Sequence, residues 1–210
     1  MSDARDRDAL VAVGRSLFER GLTHGSTGNL SLRVRDGFLI TPTGSSLGAL
    51  DPARLALLDF DGVHLRGDPP TKEAQLHIAM YRERPDDNAV VHLHATHSVA
   101  VSVLADTDAG NALPPLTAYY AMRVGTLPML PYYAPGDAAL AQAVARAARD
   151  HHALLLAHHG PVVSGRSLDA ATDAIEELEA TARLWLLVKH AGARVLDASQ
   201  VEELARRFPR

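Results

Sequence analysis

The sequence contains no cysteine, which removes disulfide frameworks and thiolate metal sites before any motif is considered. Any metal held by this chain must be bound through histidine, aspartate or glutamate. No apolar stretch approaches the ~20 residues of a membrane span. The opening segment, residues 1–20, carries aspartate and arginine every few positions and lacks the apolar run of an export signal, so the chain is expected in the cytoplasm. Concentrated positive charge is also missing. The formal net charge is -4 with Lys and Arg scattered, so neither nucleic acid nor an anionic membrane is an expected partner. A small polar substrate fits this surface better. Aromatic residues are few, whereas histidines number eleven, and several of those, including His64, His151 and His190, sit in contexts that suggest only surface positions.

At 210 residues, 47% of them hydrophobic, the chain can bury a core and is expected to form one domain over 1–210. Leu10, Val13, Leu17 and Phe18 recur at helical spacing and stop before Gly21, which predicts an opening amphipathic helix. Residues 30–34 and 38–41 read as strands joined at Asp36-Gly37, and 55–60 and 63–65 as a second pair joined at Asp61-Gly62. Thr71, after Pro69-Pro70, is expected to cap a helix running through Tyr81. Residues 89–94 form a predicted buried strand, followed by a short helix over 98–104. Prolines 114, 115, 128, 131 and 135 predict an extended, loop-like course for 116–131. Asp137 is expected to cap a helix to about Arg149, 154–157 and 162–163 to be strands, Ser167 to cap a long helix to about His190, and 197–208 to be the last helix. Strands interleaved with helices argue a layered α/β fold, and the hairpins argue against a purely parallel sheet. No repeat, low-complexity segment or linker interrupts the pattern.

Two histidines stand one residue apart in Val90-Val91-His92-Leu93-His94. Side chains in a strand repeat with a period of two, so His92 and His94 share a face while Leu93 points into the core. His159 ends a second apolar strand. Three imidazoles with a fourth position open to an exchangeable ligand form the arrangement of a catalytic rather than a structural zinc. Only one of the neighbours His158 and His159 should face such a site, and His159 is preferred because it abuts the glycine turn. The competing reading has His92 and His94 satisfied by backbone carbonyls at a strand end; His159 at another strand end weighs against it. His97 is an alternative ligand, although its spacing from His94 suits a helix start and a supporting role. Glu73 opens a helix, where a carboxylate commonly answers the helix dipole; beside a metal it can be ligand, base or acid. His77, one turn later, makes a rival pair with Glu73 but is expected to be structural.

Gly25-Ser26-Thr27-Gly28-Asn29 and Thr41-Pro42-Thr43-Gly44-Ser45-Ser46 offer hydroxyls and approachable backbone N–H groups that can cradle phosphate. Neither ends in the Gly-Lys-Ser/Thr of a nucleotide P-loop, and each taken alone reads as an ordinary turn. Tyr119-Tyr120 and Tyr132-Tyr133 are packing residues or proton donors, and the residues themselves leave that choice open.

Taken together, Gly28-Asn29-Leu30-Ser31, Thr41-Pro42-Thr43-Gly44, Glu73, His92-Leu93-His94-Ala95 and His159-Gly160 resemble the class II aldolase/adducin family across nearly the whole chain. Pro70-Thr71-Lys72-Glu73, Tyr119-Tyr120-Ala121-Met122, Pro131-Tyr132-Tyr133-Ala134-Pro135-Gly136-Asp137 and His159-Gly160-Pro161 resemble its sugar-acid branch, the 3-oxo-tetronate 4-phosphate decarboxylases. The fuculose-phosphate aldolase branch shows two serines where this chain has Thr71-Lys72, and a tyrosine-bearing tail with no match here. The resemblance implies a three-layer α/β/α fold around a central mixed, largely antiparallel sheet, in a homotetramer with sites between subunits. It also implies a Zn2+ site of His92, His94 and His159, with Glu73 completing the resting coordination and moving to act as acid/base when substrate arrives. Phosphate contacts are implied for Ser26, Asn29, Thr43, Gly44 and Thr71, and Tyr119 matches the tyrosine that approaches the metal from a neighbouring subunit. Lys72 departs from the aldolase pattern, with an ammonium suited to the phosphate or to the substrate carboxylate.

The activity implied is metal-dependent decarboxylation of a 3-oxo-tetronate 4-phosphate to dihydroxyacetone phosphate and carbon dioxide, without an organic cofactor. Two other readings stand beside it. One is a sugar-phosphate aldolase or 4-epimerase working by retro-aldol cleavage. The other is a metal-free, adducin-like interaction module, against which the presence of all three histidines and Glu73 weighs.

Overall fold

The computed structural model of the chain describes residues 2–209. Met1 and Arg210, the two ends of the expected domain, lie outside them. Apolar spacing gives α1 (Ser2–Glu19), which buries Leu10, Val11 and Leu17. An antiparallel succession of β1 (Asn29–Val34), β2 (Gly37–Ile40), β3 (Ala56–Leu58) and β4 (His64–Arg66) follows. The chain continues through α2 (Ala74–Glu83), β5 (Ala89–His92), α3 (Thr96–Ser102), α4 (Ala118–Arg123), β6 (Met129–Leu130) and α5 (Ala138–Ala148). It ends with the hairpin of β7 (Ala153–Leu156) and β8 (Gly160–Gly165), then α6 (Leu168–Val188) and α7 (Ala198–Arg207). The strands make one sheet in the order β4-β3-β2-β1-β5-β8-β7-β6, in which β6 and β7 alone are parallel.

Period-two alternation divides the sheet's side chains between two cores. Leu39, Ala89, Val91, Leu155 and Val163 pack with residues of α1, α3 and α6 on one face, whereas Phe38, Ile40, Val90, Leu154 and Val162 pack with α2 and α5 on the other. This is the expected three-layer α/β/α arrangement around a mixed, largely antiparallel sheet. Each such side chain contributes roughly 1.5–3 kcal/mol when fully buried, so two apolar layers can carry a few unfavourable polar placements between them. Among the described residues, no helix is long and apolar enough to cross a membrane.

Four local expectations are corrected. The stretch 116–131 contains α4, capped by Thr117 Oγ1 accepting the Tyr120 N–H at 3.0 Å. Prolines flank this segment at 114, 115, 128 and 131 but none falls between 117 and 127, so nothing blocks a turn and a half of helix. Thr71 is not the cap of α2, whose N-cap position is Glu73 and carries no side-chain cap bond. Thr71 Oγ1 instead accepts the Glu73 N–H at 3.3 Å. β5 stops at His92 rather than at His94, because Ala95 already takes the N-cap position of α3; the Leu93 N–H nevertheless still reaches the Pro161 carbonyl at 3.2 Å. β3 covers three residues of the predicted six, and its register against β4 shifts between Leu57 and Leu58.

Candidate metal centre

Asn29 at the start of β1 and His92 at the end of β5 are cross-strand partners. By alternation with Val90, both point to the face covered by α2. The beginning of α2 therefore meets the end of β5. Glu73 Oε2 lies 3.3 Å from His92 Nε2, and Glu73 Oε1 lies 3.1 Å from His159 Nε2. The His92 and His159 Nε2 atoms are 3.3 Å apart. The rings of His92, His94 and His159 stand 4.6–5.1 Å apart at interplanar angles of 60–88°, so they converge edgewise rather than stack. One donor atom from each of Glu73, His92, His94 and His159 falls within 4.8 Å of every other.

The surrounding backbone aims these donors. His92 Nδ1 donates to the Pro161 carbonyl at 2.8 Å, which leaves the Nε2 lone pair directed into the group. That contact needs β8 very close to residue 93. A Cβ on Gly160, at φ 146°, would stand 2.2 Å from the Leu93 carbonyl oxygen, so only glycine fits. His159 is delivered by the β7–β8 turn, closed by its N–H on the Leu156 carbonyl at 3.1 Å, with His158 in the left-handed region at φ 59°. Downstream, Glu179 of α6 holds the α3 N-terminus by accepting from the His97 and Ser98 N–H groups at 2.9 and 2.8 Å, which anchors the backbone just after His94.

Burial opposes ionisation of Glu73, but the close approach of the His92 and His159 imidazoles outweighs it and holds the carboxyl far below the usual carboxylate range. Burial likewise disfavours charge on His92, and Glu73 more than compensates, raising its pKa. Burial, then His92 and His159, push His94 down to about 3, leaving a neutral imidazole, which is the form that ligates a metal.

The donor set fits a divalent cation. Glu73 Oε1 is the only buried side-chain nitrogen or oxygen without a hydrogen-bond partner among the described residues; its 3.1 Å approach to His159 Nε2 is short enough for charge pairing but not aligned as a hydrogen bond. A tetrahedral zinc with bonds of ~2.0–2.1 Å has ligand–ligand edges of about 3.3 Å. The three separations of 3.1–3.3 Å among Glu73, His92 and His159 match that edge. Three imidazole nitrogens and one oxygen suit zinc and its neighbours rather than calcium or magnesium.

The other anticipated residues are distributed around this group. Asn29 is buried and donates from Nδ2 to Glu73 Oε2 at 2.8 Å. Thr71 touches the Glu73 backbone, and its own N–H reaches the Thr41 carbonyl at 3.1 Å. Thr43 and Gly44 are exposed on a loop tied to Pro69 by the Thr43 N–H, and line a depression of about 180 Å³ with Ser46 and Arg54. Lys72 is exposed beside Glu73, and Ser26 is exposed in the loop before β1. Tyr119 is 60% exposed on α4, on the opposite side of the sheet, under the Arg123 guanidinium; one chain alone does not bring it to the donors. His97 engages Glu179 rather than the group, and His158 gives its backbone N–H to Ser102 Oγ. The sequence reading missed the Asn29–Glu73 bond and the Glu179 anchor. Both depend on strand register and helix placement between distant segments, for which local periodicity carries no signal.

A cavity of about 490 Å³ lies elsewhere, lined by Arg84, Asp87, Arg123, Ser164 and Asp173 among others. Several of its charged groups are engaged in ion pairs, Arg84 with Asp87 and Arg123 with Asp173, so its size does not outweigh the convergent donors as the mark of chemistry.

Known proteins are similar to this chain over most of its length. Residues 8–186 match the model of the Class II Aldolase and Adducin N-terminal domain. The chain is 48% identical over 199 residues, 94% of each protein, to the 3-oxo-tetronate 4-phosphate decarboxylase of Escherichia coli strain K12. The L-fuculose phosphate aldolase of the same strain is 38% identical over 167 residues, covering 79% of this chain and 75% of the aldolase. The crystal structure of YgbL from Escherichia coli superposes with a TM-score of 0.95 at 46% identity, covering 97% of this chain and 99% of that one. By sequence over most of its length and by fold, this chain belongs to the class II aldolase and adducin family.

Proposed function

We propose that this chain is a carboxy-lyase acting on a 3-oxo-tetronate 4-phosphate, releasing carbon dioxide and dihydroxyacetone phosphate. The observation that carries the reading is the group of three imidazoles and one carboxylate with an unpartnered oxygen, in a chain 48% identical to a decarboxylase of that name. His92, His94, His159 and Glu73 would hold one divalent cation, zinc by preference, which supplies Lewis acidity at the substrate's C3 carbonyl.

A β-keto acid contains its own electron sink. When the C1–C2 bond breaks, C1 leaves as carbon dioxide, the electron pair moves toward the C3 oxygen, and C2 takes up one proton. Glu73 Oε1 is the chain atom best placed to carry that proton, being buried beside the donors and free of hydrogen bonds. Tyr119 of a neighbouring copy is the second candidate donor, since its exposure on α4 leaves it available across a subunit boundary in a homotetramer. Ser26, Asn29, Thr43, Gly44 and Thr71 would orient the phosphate, remote from the bond that breaks. Lys72, exposed next to Glu73, suits the carboxylate that leaves or the phosphate that stays.

Product analysis tests the reaction. Purified protein, loaded with zinc and offered phosphorylated 3-oxo-tetronates and ketose 1-phosphates, is expected to release carbon dioxide from the former faster than aldehyde from the latter. Faster aldehyde release from fuculose or ribulose phosphates would replace this reading with the aldolase one.

A further inference from the structure

Glu73, His77 and Tyr81 lie four residues apart along the start and body of α2, while Asn29 and Ser31 lie two apart on β1. Four helical residues advance about 6 Å and two strand residues about 7 Å, so the two stripes remain in step. Their side chains interleave without a gap. Asn29 Nδ2 is 2.8 Å from Glu73 Oε2, His77 Nε2 is 2.5 Å from Asn29 Oδ1, Ser31 Oγ is 2.7 Å from His77 Nδ1, and the Tyr81 hydroxyl is 2.9 Å from Ser31 Oγ. Asn29, Ser31, His77 and Tyr81 are all at most 5% exposed. The decarboxylation chemistry above uses neither His77 nor Ser31 nor Tyr81.

The proton positions in this chain follow from its metal end. A carboxylate only accepts, so Asn29 must present its amide N–H to Glu73 and its carbonyl to His77. His77 must then carry its proton on Nε2, which leaves Nδ1 bare to accept from the Ser31 hydroxyl. Ser31, having donated, accepts from Tyr81. Every member faces one way, toward Glu73.

We propose that His77 is a positioning residue for Glu73. It locks the Asn29 amide so that Oε2 is held by hydrogen bonding beside His92 while Oε1 stays unpartnered and turned to His159. Ser31 and Tyr81 act behind it by fixing its tautomer. Outer partners of this kind orient ligating carboxylates, and their loss typically costs 10- to 100-fold in metal affinity or activity. The inference rests on the proposed role of Glu73 as ligand and proton carrier, not on the identity of the substrate.

The test has two arms. In 15N-labelled, zinc-loaded wild-type protein, the His77 ring resonances are expected to show Nε2 protonated and Nδ1 bare; a proton on Nδ1 overturns the proposal without any variant being made. In the second arm, His77→Leu is expected to lower zinc affinity and kcat by roughly 10- to 100-fold with KM much less affected. His77→Gln, which keeps a donor toward Asn29, is expected to recover most of both. Adding His77→Leu to Asn29→Ala should cost little more than Asn29→Ala alone, because His77 acts through Asn29. Equal damage in the Leu and Gln variants, or additive losses in the double variant, would show a merely structural histidine. A wrong substrate assignment would look different: wild-type turnover would be absent, while the tautomer and zinc affinities would still decide the role of His77.

Discussion

Two buried carboxylates bracket α2. Glu73 stands at its N-terminus and Asp87 just beyond its C-terminus, and they are 7% and 5% exposed. Asp87 is saturated in a conventional way: its Oδ2 accepts from Arg84 Nε at 2.5 Å and from Ser164 Oγ at 2.6 Å. Glu73 has one oxygen on Asn29, beside His92, and the other without a hydrogen bond, beside His159. An unsatisfied buried acceptor costs about 1–3 kcal/mol, and the two apolar layers absorb that cost at one end of the helix only. Depth and charge are similar at the two sites. What differs is the partner: a guanidinium that permanently neutralises Asp87, against imidazoles whose lone pairs converge with that of Glu73. The second arrangement has the donors to hold a cation, and among the described residues the cavity at the Asp87 end shows no such converging group.

Substitution at each end should separate the two roles. Glu73→Gln is expected to lower kcat by roughly 10²- to 10⁴-fold, the usual penalty for a lost acid/base, with little loss of thermal stability. Steady-state kinetics beside a melting curve measures this, and a near-normal rate would reduce Glu73 to a helix-end charge. Asp87→Asn should show the inverse pattern. Weakening a buried, ion-paired acceptor is expected to cost about 1–3 kcal/mol in urea denaturation, with kcat per folded molecule unchanged. Tm should fall by about 2–4 °C for each kcal/mol lost. A comparable loss of turnover at Asp87 would erase the distinction.

Much of the metal end was legible from local pattern. The alternation Val90, His92 is enough to place one imidazole on the α2 face, and the glycine after His159 marks the turn that delivers the third. His94 shows where that reasoning stops: it joins the donors from beyond the strand end, so period-two alternation placed it beside His92 by way of a strand two residues too long. The expectation that Glu73 is a ligand came from family resemblance; its position alone spoke first for a helix-dipole partner. The bond from Asn29 Nδ2 to Glu73 was not legible, because the β1–β5 register that sets Asn29 beside His92 is a long-range property. His77 looked structural for the same reason: its partners Asn29 and Ser31 are more than 40 positions away. The helix α4 was lost to a count of prolines that ignored the proline-free window between them.

The smallest expected effect asks how far the unfavourable character of the metal end extends beyond Glu73. His158 is the one non-glycine residue with positive φ among the described residues, at 59°, in the turn that carries His159. A left-handed L-residue costs about 1–2 kcal/mol, while glycine there regains that strain but surrenders roughly 0.5–1 kcal/mol of chain entropy. His158→Gly should therefore raise stability by about 0–1.5 kcal/mol, the difference between those two effects. Its ring lies 6.2 Å from the exposed Tyr132 and outside the donor group, so metal content per chain should match wild type. His159→Ala, one position on, removes a donor and should lose the metal. Elemental analysis and melting curves on the pair separate strain that merely accompanies the turn from ligation that defines the site. Equal metal loss in both variants would mean that the backbone at 158, and not only the ring at 159, holds the centre together.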